Sequence, residues 1–148
     1  MLSALAADPI LKRLRRALDE LYGERIERVV LFGSRARGET GGDSDYDVAV
    51  FLKGLREGDL ADRWRELDRL ALLRSEILSD AGAFIDTKPY PAGAYRERTV
   101  LMSEIRREGV DLWRRRLANF WTKRATVLHA RASSSPRASE KMRDAMRI

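Results

Sequence analysis

The fold is decided by residues 26–53, which read IERVVLFGSRARGETGGDSDYDVAVFLK. Its first part, Ile26–Phe32, is rich in β-branched and apolar residues and is followed by a glycine, which predicts a strand. Residues 33–44 contain four glycines and no apolar periodicity, so a loop with a short helical turn is expected there. Residues 45–53 are apolar again and predict a second strand, antiparallel to the first or in a mixed sheet with it.

A helix is predicted before this stretch. Asp8 is a favourable N-cap, and Pro9 suits the first helical position. Leucines recur at helical spacing after them, and Gly23 provides a C-terminal stop. The first strand therefore follows an amphipathic helix.

Further helices and strands are predicted after the second strand. A helix is expected at about 58–79, a third strand at 83–88 that is stopped by Pro89, a helix at about 94–108 and a short edge strand at 110–113. The side chains expected to face the core from the two helices are Leu60, Trp64, Leu67, Ala71, Ile77, Leu101 and Ile105.

This order predicts an α/β (α+β) fold, with a small mixed sheet and helices packed mainly on one face. Residues 1–113 are expected to form one domain, 114–131 an amphipathic helix that contacts a partner or packs on its own domain, and 132–148 a flexible basic tail. From residue 111 onward there are ten Lys and Arg against three Asp and Glu, a charge of +7, whereas residues 1–110 carry −1, so the whole net charge of +6 comes from this last segment. A basic tail on a nearly neutral domain is weak evidence for nucleic-acid binding.

Composition excludes several kinds of chemistry. The 148 residues contain no cysteine and one histidine, His129, so thiolate sites, disulfides, histidine metal clusters and a Ser-His-Asp triad are excluded. The longest apolar runs are far shorter than a membrane span, and the N-terminus lacks the basic region of a signal peptide. A cytoplasmic protein is expected.

Carboxylates at the start of the second strand indicate a metal site. Asp45 and Asp47 are two residues apart, so strand periodicity directs both to one face. Paired carboxylates of this kind suit Mg²⁺, which prefers oxygen ligands together with substrate phosphates. Asp86 lies within the third strand, and if that strand neighbours the second, the three carboxylates form a two-metal site.

The glycine-rich loop predicts a phosphate site beside these carboxylates. Gly33 permits a close backbone approach, Ser34 adds a hydroxyl donor, and Arg35 and Arg37 add positive charge. A Walker A loop is a poor interpretation of the glycines, because Glu39 stands where that motif requires lysine.

The carboxylates also fit purely structural roles. Asp45 and Asp47 could be polar residues at the edge of a turn, a position that Asp commonly occupies. Asp86 could be the ion-pair partner of Arg35, Arg37 or Lys88, because buried acids are often simply paired with a cation. The sequence pattern by itself leaves these roles open beside the metal site.

The segments Gly33-Ser34, Arg35–Gly38 and Ser44–Asp47 together resemble the GSxxxG…SDxD signature of the DNA-polymerase-beta-like nucleotidyltransferases. Length and context look most like the minimal nucleotidyltransferases, which include the antitoxin partners of HEPN-domain toxins. The resemblance implies transfer of AMP from ATP to a hydroxyl with Mg²⁺. It also implies that Gly33 and Ser34, with Arg37 nearby, bind the nucleotide, and that Asp45, Asp47 and Asp86 are catalytic metal ligands.

Three functions follow from this resemblance. The first is an Mg²⁺-dependent protein adenylyltransferase that acts as the antitoxin of a HEPN toxin. The second is transfer to a small hydroxyl compound, as in aminoglycoside nucleotidyltransferases, although a domain of this size leaves little room for an acceptor-binding region. The third is a non-catalytic antitoxin that neutralises its partner by contact. ATP, a toxin protein and a second copy of the chain are the expected partners, without a membrane or nucleic acid.

Overall fold

The computed structural model describes residues 2–39 and 44–114. They form five helices, two short 3-10 turns and a four-stranded sheet. The strands are β1 (Ile26–Phe32), β2 (Tyr46–Leu52), β3 (Ile85–Pro91) and β4 (Val110–Arg114). The helices are α1 (Leu2–Ala7), α2 (Pro9–Tyr22), α3 (Gly33–Ala36), α4 (Leu60–Ala81) and α5 (Val100–Glu108), and the 3-10 turns are Gly23–Arg25 and Ala94–Arg96.

The sheet is mixed and has the order β3-β2-β1-β4. Strand β1 pairs antiparallel with both β2 and β4, whereas β2 and β3 run parallel and are connected through α4. The predicted fold class is confirmed, since this is a small mixed sheet with the two longest helices on one face. The predicted helix at 114–131 and the tail at 132–148 lie outside the described residues, except that Arg114 ends β4.

Two apolar layers lie on opposite faces of the sheet. The larger packs α2 and α4 against inward side chains of the strands, with Leu14, Leu18 and Leu70 almost fully buried. The smaller lies under α5, where Met102 and Ile105 cover Phe51 and its neighbours. Because burial of apolar surface is the main stabilising contribution, the first layer anchors the fold.

The α4 core prediction is wrong for two residues: Leu60 and Trp64 are 69% and 64% exposed. The helix instead buries Glu66, Leu70, Leu73 and Ile77, a stripe with helical spacing on another face. Because one member of that stripe is a glutamate, a search for apolar residues at helical spacing does not identify it. Arg25 donates a 2.9 Å hydrogen bond to the buried Glu66 carboxylate, which offsets part of the cost of burying it.

Two further boundaries differ from the sequence-based expectation. Strand β3 continues through Pro89 to Pro91, because among the strands of residues 2–39 and 44–114 it lies at the edge of the sheet beside β2 and can spare N–H groups on its outer side. The helix expected at 94–108 divides into a 3-10 turn and α5, which starts where the Thr99 side chain accepts a hydrogen bond from the Met102 amide. As a result, Leu101 is 40% exposed and Met102 faces the core in its place.

No helix within residues 2–39 and 44–114 is long and apolar enough to cross a membrane.

Candidate active site

Two of the predicted carboxylates, Asp47 and Asp86, lie next to each other in the sheet. Asp47 is the second residue of β2, and in the register of the sheet it pairs with Phe32 of β1 on one side and Asp86 of β3 on the other. Neighbours in register project from the same face, so Asp47 and Asp86 lie side by side. Asp45 precedes the strand and is exposed, whereas Asp47 is half-buried.

The turn after β1 lies directly against Asp47. Gly33 has a φ of +75°, and a β-carbon at this position would lie 2.4 Å from Oδ2 of Asp47. Only a residue without a side chain fits this approach, which brings the glycine turn and the β2 carboxylate into contact. The sequence predicted that the glycine-rich loop lies beside the start of β2, and the structure shows the two in close contact.

The ionisation of Asp47 reflects its neighbours. Burial raises the pKa of Asp47, the positive charge of Lys88 lowers it, and the charges of Asp86 and Asp45 raise it again, with a net upward shift. The charges of both other carboxylates thus affect Asp47, as expected for groups that share one site.

Two cations hold Asp86. The Arg74 Nη1 atom lies 3.3 Å from its Oδ1, and the Lys88 Nζ atom lies 3.1 Å from its Oδ2. The pairing with Lys88 was one of the structural roles that the sequence left open for Asp86. Arg74 was not predicted, because it comes from α4 and only the packing of α4 on β3 brings it to the site.

The glycine turn continues into the single-turn helix α3, which carries Ser34. Arg37 follows it and is already paired: its Nε donates to Glu39 over 3.0 Å and its Nη1 to Glu108 over 3.0 Å. The hydrogen bonds to Glu39 and then Glu108 raise the pKa of Arg37, and the bond to Glu39 is the main cause of the lowered pKa of Glu39. A phosphate that binds Arg37 would have to displace at least one of these two carboxylates.

Arg35 has a different position. Its Nε donates to the backbone oxygen of Ser44, and its guanidinium lies 3.9 Å from the ring centroid of Tyr46. The Tyr46 hydroxyl in turn donates a 2.9 Å hydrogen bond to Asp8, which also caps α2. These contacts fix the residues on both sides of Asp45, a role that the sequence did not reveal.

The donors fit Mg²⁺ in chemistry but do not form a three-ligand site. Carboxylate oxygens are the ligands that Mg²⁺ prefers, and Asp45 and Asp47 supply them at an accessible edge. Within residues 2–39 and 44–114, no group of three His, Cys, Asp or Glu side chains could hold a metal ion. The metal-binding and nucleotide-binding roles of all six predicted site residues stay predictions.

Comparison with known proteins gives the family. The profile of the nucleotidyltransferase domain matches residues 11–100. Over 44 residues the chain is 36% identical to MJ0141 of Methanocaldococcus jannaschii, a candidate protein adenylyltransferase; the match covers 30% of this chain and 44% of that protein, less than half of the relative's length.

Two solved structures can be superposed on this chain. A toxin–antitoxin complex with AMP-PNP superposes with a TM-score of 0.49 at 19% identity, over 93% of this chain and 98% of that one. A candidate nucleotidyltransferase from Sulfolobus solfataricus superposes with a TM-score of 0.48 at 24% identity, over 72% and 81% of the two chains.

The chain belongs to the nucleotidyltransferase domain family, whose profile spans the sheet edge with the glycine turn and the carboxylates. The nucleotidyltransferase family predicted from the GSxxxG…SDxD pattern is therefore confirmed.

Proposed function

We propose that this nucleotidyltransferase transfers AMP from ATP to a hydroxyl group of a protein, with Mg²⁺. The observation that carries the proposal is the contact between Gly33 and Asp47, because it joins a turn suited to phosphate with a carboxylate suited to a cation. A nucleoside triphosphate with its bound cation needs both within one site.

Asp45 and Asp47 are the residues that would hold Mg²⁺. When bound, Mg²⁺ would offset negative charge on the phosphates and help to orient them. Without it, the charges of Asp45 and Asp86 both disfavour ionisation of Asp47, so a cation at this edge would relieve an existing repulsion.

The chain's own residues would position the nucleotide. The Ser34 hydroxyl would donate to a phosphate oxygen, and Arg37 would exchange Glu39 for a phosphate. In the reaction, the acceptor oxygen attacks the α-phosphorus, and the bond from that phosphorus to the bridging oxygen of the β-phosphate breaks. Pyrophosphate leaves, and a carboxylate on the same face, Asp47 or Asp86, accepts the hydroxyl proton. Positioning and charge placement account for most of the catalysis in such transfers.

We further propose a HEPN-type toxin as the acceptor and the cytoplasm, where ATP is available, as the location. The resemblance of the Gly33–Asp47 segment to minimal nucleotidyltransferase antitoxins supports this acceptor. A small hydroxyl compound is the second candidate. It is less favoured because the described residues are occupied by the sheet and its covering helices, without a separate acceptor-binding region.

The test uses ATP labelled at the α-phosphorus or, in parallel, at the γ-phosphorus, with the full chain, Mg²⁺ and proteins of the host. We expect the α-label alone to enter a protein band, and neither label to do so with Asp45→Asn or Asp47→Asn. Incorporation of the γ-label would contradict AMP transfer. If the α-label enters only small molecules, the second candidate is correct, and if none is transferred while the chain still binds and silences a toxin, neutralisation by contact is correct.

A further inference from the structure

Lys88 places a positive charge beside two of the three carboxylates of the site, Asp86 and Asp47. Its Nζ atom lies 3.1 Å from Oδ2 of Asp86, while Arg74 occupies the other oxygen of that carboxylate at 3.3 Å. Each oxygen of Asp86 therefore already has a cationic partner. A carboxylate in this state has less capacity to bind a metal ion than one that faces only water.

The register of the sheet explains how Lys88 reaches this place. Lys88 and Asp86 are two residues apart on β3 and project from the same face. Lys88 pairs in register with Ala49 of β2, which is fully buried. The Lys88 ammonium reaches to 5.6 Å from the ring centroid of Phe32, the residue before Gly33.

Lys88 thus extends from the edge strand towards the glycine turn, across the position of Asp47. The side chain of Lys88 is 45% exposed and that of Asp86 is 41% exposed. Partly exposed ion pairs contribute little to stability, typically about 0–1 kcal/mol. The stability that this ion pair contributes therefore explains its presence poorly. The position of the Lys88 charge beside the carboxylates is the better guide to its role.

We propose that Lys88 takes the place of a second metal ion in this site. This inference rests on the proposed function: one divalent cation binds at Asp45 and Asp47, and Lys88 neutralises Asp86 and presents the second positive charge to the triphosphate. With Arg74 already paired to Asp86, one divalent ion and Lys88 more than offset the three carboxylates and leave positive charge for the triphosphate. The two-metal arrangement expected from three aspartates is then replaced by one metal ion and one ammonium group.

The test counts bound Mn²⁺ by electron paramagnetic resonance on the full chain, without nucleotide. We expect the wild type to bind one Mn²⁺, Asp45→Asn to lose it, and Asp86→Asn to keep it within about twofold. Lys88→Met should bind Mn²⁺ about tenfold more tightly or bind a second ion, because a unit charge near a divalent ion opposes its binding. Lys88→Arg keeps the charge and should behave as the wild type, and Lys53→Met controls for loss of a lysine elsewhere.

A second measurement tests the contact with the triphosphate. Binding of α,β-methylene-ATP, which cannot donate AMP, is measured in EDTA, so that no metal contributes. We expect Lys88→Met to weaken this binding about fivefold and Lys88→Arg to preserve it.

The outcomes separate this inference from the proposed function. Two Mn²⁺ in the wild type, loss of Mn²⁺ in Asp86→Asn, or unchanged Mn²⁺ and nucleotide binding in Lys88→Met would each overturn the role of Lys88 and leave the Asp45–Asp47 site intact. If Asp45→Asn binds Mn²⁺ as the wild type does, the metal assignment under the proposed function fails, and this inference fails with it.

Discussion

Gly33 and Asp47 approach each other so closely that a β-carbon on Gly33 would lie 2.4 Å from Oδ2 of the carboxylate. Gly33 directly follows the last residue of β1, and Asp47 is the second residue of the neighbouring strand β2. The contact places the turn that would bind phosphate against the carboxylate that would bind a cation. We therefore expect both the fold and the activity to be sensitive to a single methyl group at Gly33.

Gly33→Ala should therefore destabilise the chain and abolish AMP transfer. The substitution places alanine at a φ of +75°, which costs about 1–2 kcal/mol. It also forces Asp47 to move, at a further cost of about 1–3 kcal/mol. Urea unfolding and α-label transfer measure the two effects.

The control for this substitution is Gly54→Ala, which has a φ of +79° and open space around its added methyl group. Gly54→Ala should lose only the stability that corresponds to alanine at a positive φ, and it should keep its activity. Equal losses in the two variants would show that the contact with Asp47 has no importance of its own.

Asp47→Asn should abolish transfer and, without metal, raise the melting temperature at neutral pH. Because the folded pKa of Asp47 is raised above its ordinary value of about 3.9, its charged form is disfavoured in the folded state. The folded state then binds more protons, so wild-type stability falls as pH rises from about 3.9 through the folded pKa.

The stabilisation by Asp47→Asn should accordingly be largest above that window and disappear below about pH 3.9. Calorimetric melting in EDTA at a series of pH values measures it. A variant that melts below the wild type at pH 7 would show that Asp47 is stabilised, and not strained, by its surroundings.

Ser34→Ala should lower kcat/KM for ATP by about ten- to a hundredfold and change stability little. A hydrogen bond from a hydroxyl to a charged phosphate contributes about 1.5–3 kcal/mol, and alanine is well tolerated in the helical turn of α3. Steady-state kinetics with ATP and thermal melting without it give the two values. The matched control is Ser103→Ala on α5. If its kinetics are identical to those of Ser34→Ala, the Ser34 hydroxyl does not bind a phosphate of ATP.

Tyr46→Phe should lower the free energy of unfolding by about 1.5–3 kcal/mol, because the Tyr46 hydroxyl donates to a carboxylate from a buried position. The ring that lies under Arg35 is kept, so the effect isolates the hydrogen bond to Asp8. Asp8→Ala should cost more, since Asp8 also caps α2 through the amide of Ile10. Urea unfolding of both variants and of the double variant tests this, and additive losses would mean that the two residues do not act together.

Glu39→Gln should lower KM for ATP, because it removes one of the two carboxylates that hold Arg37 and leaves the guanidinium freer to bind phosphate. Arg37→Met should raise KM, and the double variant should resemble Arg37→Met. Kinetics at low salt, where exposed charges are least screened, give the clearest measurement. An unchanged KM in both single variants would place Arg37 outside the nucleotide site.

Local sequence patterns were sufficient for much of this fold. The bounds of β1 follow from its apolar residues and the glycine after it, and those of α2 follow from Asp8, Pro9 and Gly23. These signals depend on backbone preferences and on capping groups within a few residues, so the surrounding fold changes them little. The face of α4 was misjudged because burial depends on what the helix packs against, and a buried Glu66 paired with Arg25 has no local signature.

By itself, the sequence determined the class of protein and the residues of the glycine turn and the carboxylate pair, because their spacing depends only on strand periodicity and on the family pattern. Only the tertiary structure decided which cations reach Asp86. Arg74 comes from α4 and Lys88 from β3, and their meeting at one carboxylate follows from the parallel pairing of β2 with β3 and the packing of α4 on that edge. Long-range contacts of this kind arise from the packing of the whole chain, so no short stretch of sequence specifies them.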